Sequence, residues 1–199
     1  MGDGGADIFT IGHSTHPPEH FIGLLQQHRI TAVGDVRSQP YSRHNPQYNR
    51  ETIAAALKQH RIAYVFLGAE LGARSGNPDC YADGKVRFGK LAAEPSFRRG
   101  LARLKRGMRE HRVALMCAEK DPLICHRTIL VARQLRAECA AITVAHILAD
   151  GALETQAQAE ARLMRLWKIN PDLARDEARC VEEAYALQEG KIAYVRAQN

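Results

Sequence analysis

The sequence predicts an α/β fold: a mostly parallel sheet of about five strands with helices on both faces, followed by a helical extension. Short apolar stretches alternate with longer amphipathic ones over residues 1–150. Several of those stretches are apolar almost throughout, as strands covered on both faces are. Beyond residue 151 helical periodicity takes over.

Taken in order, "DIFTIG" (7–12) is a strand ending in Gly. "STHPPEHFIGLLQQHRI" follows with Ser or Thr to cap a helix, prolines at its entry, and Phe21, Leu24, Leu25 and His28 at helical spacing. "TAVGDVR" (31–37) is a second strand with Asp35 and Arg37 at its end, and the loop "SQPYSRHNPQYN" leads to a helix beginning near Asn49 whose inner stripe is Ile53, Ala56, Leu57 and His60. "IAYVFLG" (62–68) reads as a third strand buried on both faces, and "AELGARSGNPDCYADGKVRFG" then breaks the rhythm. The helix "PSFRRGLARLKRGMREHR" places Phe97, Leu101, Leu104 and Met108 on one face and arginines around the rest. "VALMC" is a fourth strand, "HRTILVARQLRAEC" its helix, and "AITVAHIL" a fifth strand. Such strand–helix alternation closes right-handed into a parallel sheet. The 1–150 segment is thus the α/β unit, and 151–199 an extension packed on it with helices near 154–168 and 172–189.

The 199 residues suit one core, and 45% hydrophobic with 25% charged residues is a globular composition. No apolar run approaches the ~20 residues of a membrane helix, and "MGDGGADIFT" lacks a secretory leader's pattern, so a cytoplasmic, membrane-free protein is expected. Five cysteines are an odd number and too sparse for a disulfide framework, so reduced thiols are expected. The net charge of +6 divides as +7 before residue 151 and −1 after it. A basic first segment favours a phosphate-bearing partner, a nucleotide or a nucleic acid.

In parallel α/β sheets ligands bind beyond the carboxyl ends of the strands. Four such ends here carry polar clusters: His13 and Ser14; Asp35, Arg37, Tyr41, Ser42, Arg43 and Tyr48; Glu70 and Arg74; and Cys117, Glu119, Lys120, Cys125, His126 and Arg127. One composite site accounts for the recurrence better than four unrelated turns. "IGHSTHPPEHFIGLL", "DVRSQPYSRHNPQYN", "YVFLGAELGAR" and "ALMCAEKDPLICHR", in this order, resemble the family called domain of unknown function 488, over about residues 8–150. The resemblance implies an enzyme-like set of motifs and no particular activity.

Three chemistries compete for these residues. No metal or other cofactor is expected, because Cys117 and Cys125 form a C-x₇-C with no second pair, and adjacent Cys125 and His126 should project apart. A thiol centre for redox or sulfur transfer could use Cys117 and Cys125, although "AEKDP" is no glycine-rich anion loop and either cysteine also suits a buried structural role. The leading expectation is carboxylate chemistry on a nucleotide or nucleic acid, hydrolysis or group transfer and in particular N-glycosidic cleavage of the DNA-repair glycosylase type. There Asp35 and Glu119 serve as acid/base groups with His13 and Cys117 beside them, while Arg37, Arg43, Arg74 and Arg127 hold the anion with Ser14, Ser42, Glu70 and His126. Tyr41, Tyr48 and Tyr81 sit where a ring can stack on a base or simply pack a loop. A binding module without catalysis is the third expectation.

Overall fold

The computed structural model describes residues 6–173 and 175–196. Residues 1–5 and 197–199, at the outer ends of the two expected segments, and Ala174, within the second predicted tail helix, lie outside the described residues. Six strands form the main sheet: β1 (Ile8–Gly12), β2 (Ala32–Asp35), β3 (Ala63–Phe66), β6 (Val113–Cys117), β7 (Val144–Ile147) and β8 (Leu153–Thr155). Two further short strands, β4 (Tyr81–Ala82) and β5 (Lys85–Val86), pair as a hairpin within the irregular stretch. The helices are α1 (Pro18–Gln27), α2 (Arg50–Gln59), α3 (Gly68–Leu71), α4 (Phe88–Ala93), α5 (Pro95–Gly107), α6 (Arg133–Glu138), α7 (Gln156–Leu166) and α8 (Glu177–Ile192). No helix among the described residues is long and apolar enough to cross a membrane.

The sheet order is β3-β2-β6-β1-β7-β8, parallel except for the β7–β8 pair. The late strand β6 therefore lies between β1 and β2, with Gly12 opposite Cys117 and Asp35 opposite Met116. This register sets the loops that carry His13, Arg37 and Glu119 side by side. Successive residues of the central strands face opposite ways. In β6, Val113, Leu115 and Cys117 join one apolar cluster, with helices from α4 to α8, and Ala114 and Met116 join the other, with α1 and α2.

The α/β architecture is as the sequence predicts, with differences that have local causes. Leu153–Thr155 adds a sixth, antiparallel strand where a helix is predicted to begin, and Thr155 then opens α7 with a reciprocal capping box to Gln158. β3 is an edge strand with Ala63 exposed, not one buried on both faces. Tyr64 packs on the cluster that includes α2, and Val65 on the other. The tail shares the core, since Cys180, Ala184 and Tyr185 join the same cluster as Leu115.

Close backbone approach fixes the loops at the carboxyl edge. A Cβ on Gly12 would lie 1.9 Å from the Glu119 carbonyl oxygen, and one on Gly68 would lie 1.9 Å from that of Arg37. Only glycine permits either contact. The loop after β6 thus lies against the end of β1, and α3 lies against the loop after β2.

Candidate active site at the strand ends

Asp35 and Arg37 form the floor of the site. The Arg37 guanidinium donates to both Asp35 oxygens, Nε at 2.9 Å and Nη2 at 2.6 Å, and the Arg37 backbone N–H and the Tyr64 hydroxyl donate to the same carboxylate at 3.0 and 2.7 Å. Asp35 is fully buried, with its lone pairs occupied. It positions Arg37 and is not an available proton acceptor. Arg37 is neutralised in turn and also donates to the Tyr48 carbonyl at 2.9 Å.

His13 stacks on Tyr48 with ring centroids 4.0 Å apart. Arg37 can only donate, so its 3.2 Å contact makes His13 Nε2 an acceptor and leaves Nδ1–H to donate to the Ser14 carbonyl at 2.8 Å. Burial, then Arg37, lowers the His13 pKa to about 4. Tyr48 itself is fully buried and donates to the His16 carbonyl, so it is a core ring with no face for a base.

The loop after β6 is shaped by three contacts. Asp121 accepts from the Leu123 N–H and opens a 3₁₀ turn, Pro122–Ile124, while Arg162 of α7 clamps the same carboxylate through two bonds of 2.9 Å. Arg127 is fully buried and donates to the Glu119 and Lys120 carbonyls at 2.6 and 3.2 Å, so it braces the loop from inside and does not face an anion. The backbone passes from extended at Cys125 to helical at His126, then winds as a π-helix over Arg127–Ala132 before α6.

This switch of backbone corrects the expectation that Cys125 and His126 project apart: their donor atoms and Cys117 Sγ all lie within 4.8 Å of one another. Cys117 Sγ and Cys125 Sγ each lie 3.0 Å from Glu119 Oε2, and Cys117 Sγ lies 3.7 Å from His126 Nδ1. His126 Nε2 donates to the Val36 carbonyl at 2.9 Å, which leaves the Nδ1 lone pair facing the thiols. Burial, then Cys125, raises the Glu119 pKa. The hydrogen bond with Cys125 and burial raise that of Cys117. Against the effect of burial, the Cys117 hydrogen bond, Arg127 and His126 hold Cys125 below the usual thiol range.

A cavity of about 330 Å³ opens over this cluster, with Arg37, Tyr41, Arg74, Cys117, Glu119 and His126 in its wall. Arg74 is exposed, bonds the neutral Gln39 amide at 2.9 Å and stacks over Tyr194 at 4.4 Å, leaving its charge without a carboxylate partner among the described residues. Tyr41 is 57% exposed with its hydroxyl on Glu51. Other expected site residues lie apart. Glu70 pairs with Arg103 at 3.0 Å, Ser42 accepts from the His44 and Asn45 N–H groups, Arg43 is exposed outside the cavity wall, and Tyr81 bonds the Ser75 carbonyl. The Ser14 backbone N–H bonds the Ala118 carbonyl. Tyr64, Gln39 and Tyr194 are contributors that the sequence did not single out. A larger depression of about 770 Å³ lies at the amino ends of the strands, against Phe9, His28, Arg112 and Thr143, and it gathers no such reactive set.

Behind the site, His146 sits fully buried between Thr10 (2.8 Å) and Gln156 (3.1 Å), and the Gln156 amide in turn reaches Tyr185. Burial, then Arg127, lowers its pKa to about 3; Arg162 adds to this, while Gln156 and Asp121 oppose it. The unfolded chain takes up this proton near pH 6.5 and the folded one does not. The stabilisation is therefore complete above about pH 6.5 and is lost as pH falls toward 3, by up to about 1.4 kcal/mol per pH unit. Urea unfolding between pH 7 and pH 5 checks this: stability should fall, and His146→Gln should make the fall shallower by one proton. An equal slope in the variant would place the titration elsewhere.

A search of curated proteins and one of solved structures each return no match. The family model described as "Domain of unknown function DUF488" matches residues 17–134, a span that holds Arg37, Cys117, Glu119, Cys125 and His126 but neither His13 nor Tyr194. With well over half of its length matched, the chain belongs to the DUF488 family.

Proposed function

We propose that this protein is an enzyme that takes an anionic substrate, a nucleotide or nucleic acid, at the carboxyl ends of β1, β2 and β6, and performs hydrolysis or group transfer with Glu119 as the proton-transfer carboxylate. One observation carries this reading. Asp35 is saturated and Glu70 is paired, whereas Glu119 lines the cavity with no ion pair among the described residues and only thiols at its oxygen. A carboxylate in that setting can exchange a proton with a substrate or a water. Arg74, in the cavity wall and without a carboxylate partner among the described residues, supplies positive charge for a phosphate. About 330 Å³ suits a single nucleotide unit or an extruded base. Release of a base by N-glycosidic cleavage is the finer form of the proposal.

The second reading, redox or sulfur transfer at Cys117 and Cys125, has its own support in the two sulfurs that share one carboxylate oxygen. Product mass spectrometry separates the two. The protein is incubated, with and without divalent cations, with nucleoside phosphates and with DNA and RNA oligonucleotides carrying normal, deaminated and alkylated bases. A freed base, a cut strand or a transferred group is expected. A panel unchanged under every condition would contradict the proposal and leave the thiol reading in its place.

A further inference from the structure

Building on the reading of Glu119 as the proton-transfer group, we infer that Cys117, Cys125 and His126 hold a zinc ion whose fourth position opens into the cavity beside Glu119. The three donor atoms come from two segments, the end of β6 and the turn before the π-helix, and lie within 4.8 Å of one another. A tetrahedral ion with Zn–S of about 2.3 Å and Zn–N of about 2.0–2.1 Å separates sulfur from nitrogen by roughly 3.5–3.6 Å. Cys117 Sγ and His126 Nδ1 are 3.7 Å apart.

A second, independent feature points the same way. Metal-bound imidazoles usually donate their other N–H to a carbonyl or carboxylate, which fixes the tautomer and aims the free lone pair at the ion. His126 Nε2 does this to the Val36 carbonyl at 2.9 Å. Two thiols, a carboxylate and an imidazole converge here in a largely buried space, a concentration of ligating groups beyond what a structural turn needs. With the ion bound, the charges of two thiolates and Zn²⁺ cancel. Two sulfurs and one nitrogen in tetrahedral reach select zinc over harder cations.

Three protein ligands are the arrangement of catalytic zinc, in which the fourth position takes water and makes it acidic. Cys117, Glu119 and His126 face the cavity, and Cys125 is not in its wall, so the open position faces substrate. Glu119 Oε2 accepts from both thiols at 3.0 Å, and when the thiols ionise onto zinc it loses both donors and is free, in the cavity wall, to take a proton from that water. The proton passes to the Glu119 carboxylate, the hydroxide oxygen bonds to the sugar carbon that carries the base as the carbon–nitrogen bond breaks, and Glu119 returns the proton to the departing base. No electron is gained or lost.

The test is cobalt titration of the full chain after chelation under reducing conditions. One equivalent should bind, with a thiolate-to-cobalt charge-transfer band in the near ultraviolet and the intense visible bands of tetrahedral cobalt, and zinc should displace it. Cys125→Ser and His126→Ala should lower the zinc found by elemental analysis from one equivalent to none, while Cys139→Ser, an exposed position, keeps it. Glu119→Gln should also keep one equivalent, because the carboxylate is not a ligand. Absence of the charge-transfer band from the wild-type protein would overturn the zinc site whether or not the variants fold, as would a Cys117–Cys125 disulfide that forms equally fast with zinc present. Loss of metal in Glu119→Gln would overturn the open fourth position. These readouts need no substrate, so a failed zinc site and a failed substrate panel are separate results.

Discussion

Asp35→Ala is expected to remove about 3–5 kcal/mol of folding stability, the range for breaking a buried ion pair by deleting one partner. The substitution leaves the Arg37 guanidinium in a site 6% exposed, next to a neutral His13 that cannot compensate it. It also frees the Tyr64 hydroxyl and the Arg37 N–H from their shared acceptor. Urea unfolding should show a large fall in midpoint with an unchanged slope. The double variant Asp35→Leu/Arg37→Met should recover much of the loss, because apolar groups of similar size often replace such a pair at little cost. Were Asp35 instead a proton-transfer group with spare lone pairs, the single variant would stay near wild-type stability.

Much of this was legible in the sequence, and the exceptions have physical reasons. Apolar stretches and the Gly, Pro and Asn punctuation between them mark β1, β2, β6 and β7, because strands in a parallel sheet and the turns between them are chemically distinct. The same logic places the polar residues at one edge. It does not tell which of them turn inward. Arg127 and Tyr48 look like a clamp and a stacking ring in sequence, yet one braces carbonyls and the other fills the core, since orientation depends on strand order and on the π-helical winding after His126. β8 is only three residues long, too short to carry a periodic signal. Tyr194 reaches the cavity from the far end of the chain because the Val86 N–H bonds its carbonyl at 2.9 Å, a pairing that local sequence cannot announce. Cys125 and His126 illustrate the same limit: spacing rules for ligands assume regular backbone, and here the chain changes conformation between the two.

The role of Glu119 is tested most directly by turnover of Glu119→Gln beside wild type on whichever substrate the panel identifies. The amide keeps the shape and can still bond the two sulfurs, so the fold and the unfolding midpoint should stay close to wild type. Proton transfer is what it loses. The expected result is a fall in kcat of about 10²–10⁴-fold, with KM little changed because the substitution leaves Arg74, the proposed anion contact, in place. Turnover at the wild-type rate by a folded Glu119→Gln protein would contradict the assignment and return the chemistry to the thiols.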